Sequence, residues 1–467
     1  MILGILATAC FAVSMVTNVF ETSSSAFKVI RAPRRFGPIA EVKEPNAMKL
    51  RYGTINMMQL ASDKVLALVN RGVYSTAKNY DFEDGTDLFV FGDWSELPKV
   101  KPIALDRSGV EPDVARDGKK RYHNRYPALG GFVPFGAKVG GKPHPYAGTG
   151  FLLSRTLTYP LSDDGTFDWN KGDIDGQTVM YALAYDGRKL SVKHQQSYYG
   201  GRQFMIGKTD WMMVAIGICT LIPDGVDLIG PAQAQVVKTG KVMQDACGMC
   251  RWKFLDGFWQ PVDFVPICFS DEKKEHRFYE ASLVRDAKGD LVFGVRDDGR
   301  HLPGKPHFCS PTQDLNAWRS ADGGKTWMHI VQVDNVRRPA PMSIGRTAGG
   351  SVFFVSNPVD PLRTDPPDFR SRVDVWPVSA DYSRVFAPVM VRDAHAEFRS
   401  NGTAWMLDHP NCQVLRLKDG SIRSYLMFRA RDPHFSGDKG IGEPSPEAGS
   451  YAEEIVTNEK PVPLWEF

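Results

Sequence analysis

Short apolar runs alternate with turn-forming dipeptides along almost the whole chain. Asp-Gly pairs begin at Asp84, Asp117, Asp164, Asp175, Asp186, Asp224, Asp256, Asp298, Asp322 and Asp419. Between them lie runs rich in Val, Ile, Phe, Tyr and Leu, such as Val179–Tyr185, Phe204–Ile206, Leu291–Val295, Val352–Val355 and Ile422–Phe428. Asp-Gly suits a hairpin because glycine reaches positive φ without a Cβ clash. Strand, Asp-Gly, strand is the hairpin pattern, and no stretch of helical period competes with it. Many short strands with regular turns predict an all-β fold, whether sandwich, barrel or propeller. The apolar run Trp211–Leu221 is too short to cross a bilayer and reads as a buried strand. The Pro-rich stretch Pro358–Pro367 predicts a loop. The tail from about Pro433, rich in Ser, Gly, Pro and Glu, predicts extended wrapping or partial disorder.

One turn narrows the choice. Residues 320–327 read Ser-Ala-Asp-Gly-Gly-Lys-Thr-Trp. Asp322 and two glycines make a tight turn, Thr326 can bond it, and Trp327 can plug the base of a sheet. This string resembles the Asp box, or BNR repeat, of sialidase-type β-propellers. Tyr279–Arg296 resembles the blade core of the same group: a Glu-x-Ser strand, a turn with Gly289, and a strand ending in Arg296, with Ala281 where the group has Pro. Val414–Gly420 repeats the scheme. The resemblance implies a β-propeller of seven or six blades, each a four-stranded antiparallel sheet, in one domain over residues 27–467.

Composition adds limits. The chain has 467 residues, 42% hydrophobic and 24% charged, with a net charge of +3. Nothing here favours a nucleic-acid partner, and no protein partner is implied. Met1–Val19 is apolar, with no charge before Glu21, so residues 1–26 predict an export signal or membrane anchor and a secreted or periplasmic protein. Of seven cysteines, Cys247, Cys250 and Cys268 cluster in sequence. A C-x₂-C loop bridged on itself would be strained, which favours structural zinc with His276 as fourth ligand over disulfides. No organic cofactor is implied.

Candidate chemistry concentrates between residues 121 and 202. Arg121–Gly131 holds His123, Asn124 and Arg125. His144 follows, then Tyr185 at a hairpin end, then Tyr199 and Arg202 beside Gly200-Gly201. This pattern resembles the propeller-type ulvan lyases, which cleave a sulfated algal polysaccharide at uronic acid residues. A lyase must remove the C5 proton, expel the C4 oxygen and neutralise the uronate carboxylate. The resemblance implies His123 and Tyr185 as base and acid, His144 as support and Arg202 as neutraliser. Asn124, Arg125, Tyr199, Glu280 and Arg296 would bind the acidic polysaccharide. Arg125-Tyr-Pro-Ala-Leu also resembles the strand that opens sialidases, where Arg125, Arg296 and Arg346 would grip a carboxylate. A third reading is a non-catalytic carbohydrate-binding propeller using Trp169, Trp252, Trp259 and Trp405.

Overall fold

The computed structural model describes residues 27–36, 49–74, 83–113, 117–163, 165, 173–199, 204–270, 276–299, 312–338, 340–363, 370–397, 399–400, 403–431 and 449–467. The 1–26 segment and Trp169 lie outside them. Strand β1 is Phe27–Phe36. The first sheet then takes β2 (Lys49–Ala61), β3 (Lys64–Tyr74), β4 (Glu83–Phe91) and β5 (Ile103–Ala104). The second takes β6 (Gly109–Pro112), β7 (Lys120–Arg125) and β8 (Leu129–Val133). After a small hairpin of β9 (Lys138–Val139) and β10 (Lys142–Pro143) it continues with β11 (Thr149–Pro160), β12 (Asp173–Tyr185) and β13 (Leu190–Tyr199). These two sheets touch through one parallel pair, Asp84 with Arg125.

The third sheet is β14 (Met212–Ile216), β15 (Ile222–Asp224), β16 (Asp227–Lys238), β17 (Lys241–Leu255) and β18 (Phe258–Phe269). The fourth is β19 (Phe278–Arg285), β20 (Leu291–Asp297), β21 (Gln313–Ser320) and β22 (Met328–Arg337). The fifth is β23 (Ser343–Arg346), β24 (Val352–Ser356), β25 (Arg372–Pro377) and β26 (Val389–Asp393). After the two-stranded β27 (Arg399–Ser400) and β28 (Thr403–Ala404), the sixth is β29 (Met406–Arg416), β30 (Ile422–Arg431) and β31 (Gly449–Thr457). Strand β1 pairs antiparallel with β31, so the first and last described strands complete one sheet. Residues 449–457 of the expected loose tail are therefore a strand within a sheet.

The cores lie between sheets. One apolar cluster joins the first and second sheets (Leu66, Phe132, Leu183) and another the second and third (Phe151, Leu228, Trp252). Others join the third and fourth (Met249, Phe293), the fourth and fifth (Val292, Phe354), and the fifth and sixth (Phe353, Leu426). The last returns from the sixth to the first (Tyr425, Val65). Among the described residues, six sheets and six cores thus alternate around a closed ring. That arrangement is a β-propeller.

Among the described residues, six of the Asp-Gly pairs sit in hairpin connections, those at Asp117, Asp186, Asp224, Asp256, Asp322 and Asp419. Phe204–Ile206 is not a strand; only Met205 makes an isolated bridge, to Met212. In the Asp box, the Asp322 carboxylate accepts from Thr326 Oγ1 at 2.6 Å, Ser320 Oγ at 2.7 Å, and the backbone amides of Lys325 and Thr326 at 3.0 Å. Trp327 Nε1 donates to Gly324 O at 3.0 Å, and its ring packs on Phe293. The same hairpin position in the fifth sheet carries Ser379-Ala-Asp381-Tyr-Ser383. There Asp381 accepts from Ser379 Oγ and Ser383 Oγ, each at 2.7 Å. This is a second Asp turn without the glycines and Trp that mark the first.

Hydrogen bonding by Thr326 and its neighbours holds the Asp322 carboxyl well below the usual carboxylate range. A group lowered in the folded state contributes stability above its unfolded pKa and loses it as pH falls through the folded value. Asp322→Ala is expected to lower the melting temperature by a few degrees at pH 7, with the deficit shrinking toward strongly acid pH. Thermal melts across pH check this, and a deficit independent of pH contradicts the carboxylate's role.

Candidate active site at the axial cavity

Each sheet presents one edge strand to the propeller axis: β2, β8, β14, β19, β23 and β29. Four of these slip register near one end, at Tyr52/Ile55, Met213/Ala215, Tyr279/Ser282 and Asp408/Asn411. Such bulges re-aim side chains and recur beside active sites. Two place a non-glycine residue in the left-handed region, Glu280 at φ 51° and His409 at φ 52°. That conformation costs on the order of 1–3 kcal/mol per residue and persists only where the surroundings fix it. Both residues line one cavity of about 310 Å³, together with Thr54, Asn56, Tyr126, Arg155, Gln233, Tyr279 and Asn411.

The charges around it form one network. Arg296 grips Asp298 with two bonds, at 2.8 and 3.0 Å, and reaches Glu280 Oε2 at 2.8 Å. Its guanidinium lies 4.5 Å over the Tyr279 ring, a cation–π contact. Beside it, the fully buried Asp408 accepts from Arg429 at 2.5 Å, Arg431 at 2.9 Å and Arg370 at 3.2 Å. His409 Nδ1 lies 3.4 Å from Asp408 Oδ1. Burial pushes the Glu280 carboxyl up, but Arg296, His409 and Arg370 outweigh it and hold it below its ordinary value. Burial likewise opposes ionisation of Asp408, and Arg429, Arg431 and His409 reverse this. His409 moves the other way: burial and Arg429 lower its pKa against the pull of Asp408 and Glu280. The cavity therefore presents an ionised Glu280 and a neutral imidazole at pH 7, with the ionised Asp408 buried beside them.

The residues expected from the sequence divide sharply. Glu280 and Arg296 meet at this cavity. His123 and Tyr185 do not meet. His123 pairs with Thr158 at one end of β11, while Ala184, next to Tyr185, pairs with Thr149 at the other. Nine residues of extended strand separate these ends by about 30 Å. Tyr185 is buried in the core between the first two sheets, in edge contact with Phe135. His144 shares the Tyr185 end, accepting at Nδ1 from the Tyr146 amide at 3.2 Å and touching Trp465. Arg202 and the Tyr199 side chain lie outside the described residues. Asn124 is fully buried.

The three-arginine alternative fails as well. Arg125 is taken up by Thr156 at 2.7 Å, Glu111 at 3.0 Å and Asp106 at 3.3 Å. Arg346 donates to Arg285 O at 2.9 Å, at the opposite end of β19 from Glu280. The tryptophans offered for sugar stacking, Trp252, Trp259 and Trp405, are 1% exposed and belong to the cores.

The expected zinc ligands are also parted, because successive strand residues face opposite ways. Cys247 and Cys268 pair across β17 and β18 in the core between the third and fourth sheets. Cys250, three residues on, sits in the core between the second and third. His276 bonds Asp297 at 2.7 Å. Among the described residues no group of three or more His, Cys, Asp or Glu converges as a metal site.

The sequence reading missed Asp408, His409, Asn411 and Arg155. Its available signal was the polar string Asp408-His-Pro-Asn411 between Leu407 and Cys412. A proline within a strand marks an edge or a bulge, and β29 is both.

No family model matches the chain, and no curated protein matches it. Among solved structures it is similar to the Trypanosoma rangeli sialidase in complex with 2,3-difluorosialic acid. The identity is 10% and the TM-score 0.50, over 92% of this chain and 59% of that one. It is also similar to a protein of unknown function from Dyadobacter fermentans, at 11% identity and a TM-score of 0.48, over 92% of this chain and 100% of that one. A third is the leech intramolecular trans-sialidase, at 10% and 0.47, over 90% and 69%. The chain spans about three fifths of the length of the Trypanosoma sialidase. The likeness to that sialidase is one of fold: a sialidase-type β-propeller.

Removing the acceptor shared by the buried Arg429 and Arg431 and the partly buried Arg370 leaves their charges uncompensated. Asp408→Asn is expected to destabilise the protein by about 3–5 kcal/mol, read from urea unfolding. A loss below about 1 kcal/mol, the level of an exposed ion pair, contradicts the network as drawn.

Proposed function

We propose that the protein is a polysaccharide lyase that acts on a uronate-containing glycan at the axial cavity, with His409 as the base. The observation that carries this reading is the strained pair Glu280 and His409, one ionised and one neutral, turned into the same cavity. Glycoside hydrolysis by two carboxyl groups needs one of them kept protonated as the acid. Here both nearby carboxylates are driven toward ionisation. Asp298, which burial pushes up, is engaged by Arg296 and Gln313 and is not among the residues lining the cavity. Elimination asks instead for a neutral base, which His409 provides.

In this reading His409 takes the proton from C5 of the uronate and the C4–O bond breaks. Its electron pair leaves on oxygen, which Tyr279 protonates, and a C4–C5 double bond remains. Arg155, exposed on the cavity wall, meets the uronate carboxylate and offsets the charge that develops next to it. Asp408 holds the imidazole in place. The fold relation to carbohydrate-processing propellers is consistent with a glycan substrate, as is the modest positive charge.

Incubation with ulvan is expected to build up the ultraviolet absorbance of an unsaturated uronate. No absorbance, together with release of free sugar from a sialoside, overturns elimination in favour of hydrolysis. His409→Ala is expected to lower kcat by about 10²–10⁴-fold, while His123→Ala keeps activity. Because the base works unprotonated and its pKa is lowered, kcat/KM should be flat at neutral pH. It should fall only below the ordinary histidine value of about 6.5. A profile that falls as pH rises through neutrality excludes His409 as base.

A further inference from the structure

Asn411 lines the axial cavity and is 2% exposed. Its Nδ2 donates to Ile55 O on the neighbouring innermost strand at 2.5 Å. A carbonyl oxygen only accepts, so this bond fixes which way the amide points. Oδ1 must then be the other arm, and it has no hydrogen-bond partner among the described residues. It is a buried acceptor of fixed direction in the wall of a cavity whose volume lies at the lower end of ligand pockets, about 300–1,000 Å³.

We infer that Asn411 is a specificity-determining residue that reads a free ring hydroxyl of the bound sugar. The hydroxyl donates to Oδ1. A sugar carrying a sulfate ester, an ether or hydrogen at that position brings no donor. It would close the cavity with the acceptor left unpaired, which is costly in a buried site. Sulfate would add repulsion between its oxygens and the amide oxygen. The cavity thus discriminates by position, with a free hydroxyl required at Asn411 and anionic groups directed toward Arg155, which lines the same cavity. This inference rests on the axial cavity being the glycan site, but not on the bond-breaking step.

The test is calorimetric titration of methyl β-glucuronide and its monodeoxy and mono-O-methyl derivatives into the wild type and Asn411→Ala. One ring position is expected to matter: its deoxy and O-methyl forms should bind the wild type about 5- to 100-fold more weakly. The same forms should bind Asn411→Ala within about twofold of the variant's affinity for the parent. The wild-type series needs no substitution, so it reads out even if the variant folds poorly. Equal wild-type affinity for every derivative, no binding of the parent glucuronide, or the full position effect surviving in Asn411→Ala each overturns the proposal. Turnover of ulvan with no position effect overturns it and leaves elimination standing. A position effect without turnover does the reverse.

Discussion

The innermost strand of every sheet has a free edge, and the propeller stands only if those six edges are satisfied across the axis. An unpaired buried amide or carbonyl is costly, and a free strand edge is a template for wrong pairing. The chain meets this with single bonds between neighbouring innermost strands rather than with ladders. Ile344 N donates to Ser282 Oγ, Ser343 Oγ to Pro410 O, and Asn411 Nδ2 to Ile55 O, joining the fourth to the fifth, sixth and first sheets in turn. The segment after β14 supplies most of the rest. Ile218 N bonds Ala281 O, Thr220 Oγ1 bonds Met57 O, Leu221 N bonds Gly130 O, and Gln413 reaches Thr220. Residues expected to form a plain buried strand are the stitch that ties four sheets together.

That constraint also builds the site. A strand that bonds sideways only at chosen residues must break its register with its own sheet, and it does so at bulges. Bulges at Glu280 and His409 turn those side chains toward the axis at the cost of left-handed backbone. The charges repay the local strain by fixing both groups: Arg296 holds Glu280, and Asp408 with its three arginines flanks His409. Because Glu280 and His409 sense each other's charge, the protonation of one is linked to that of the other.

The fold was legible where local chemistry sets it. Most of the Asp-Gly turns, the Asp box, and the Glu280 and Arg296 strands follow from residues close in sequence and lie in the expected elements, whereas Asp84 and Asp175 fall within strands. The site was less legible, since its walls come from β2, the loop before β8, β11, β14 and the segment after it, β16, β19 and β29. Proximity in sequence misled in both directions. His123 lies in the same stretch of chain as His144 and Tyr185, but a strand as long as β11 carries it to the opposite end of a sheet. Cys247 and Cys250 look like a metal knuckle, yet strand alternation sends them into different cores. A Cys-x₂-Cys pair is a knuckle only in a turn, and here Asp256-Gly257 makes the turn six residues further on. The second Asp turn, at Asp381, was hidden because it keeps the carboxylate and hydroxyls but not the glycines.

The buried charges around Asp408 bear on what the cavity is for. Ion pairs withdrawn from water are weak sources of stability, since desolvation offsets much of their attraction. A chain selected for stability alone could fill this space with apolar side chains, as it does between every pair of sheets. Keeping three arginines on one carboxylate, directly behind a strained histidine, spends stability on position and charge state. Burial and Arg429 disfavour the imidazolium while Asp408 favours it, so His409 stays neutral yet remains able to accept a proton. A site that only stacked sugars would need neither the strain nor the poise. The same reasoning separates this histidine from His123, whose pKa burial and Arg125 also lower. His123 lies in the middle of a paired strand with no bulge to turn it toward the axis.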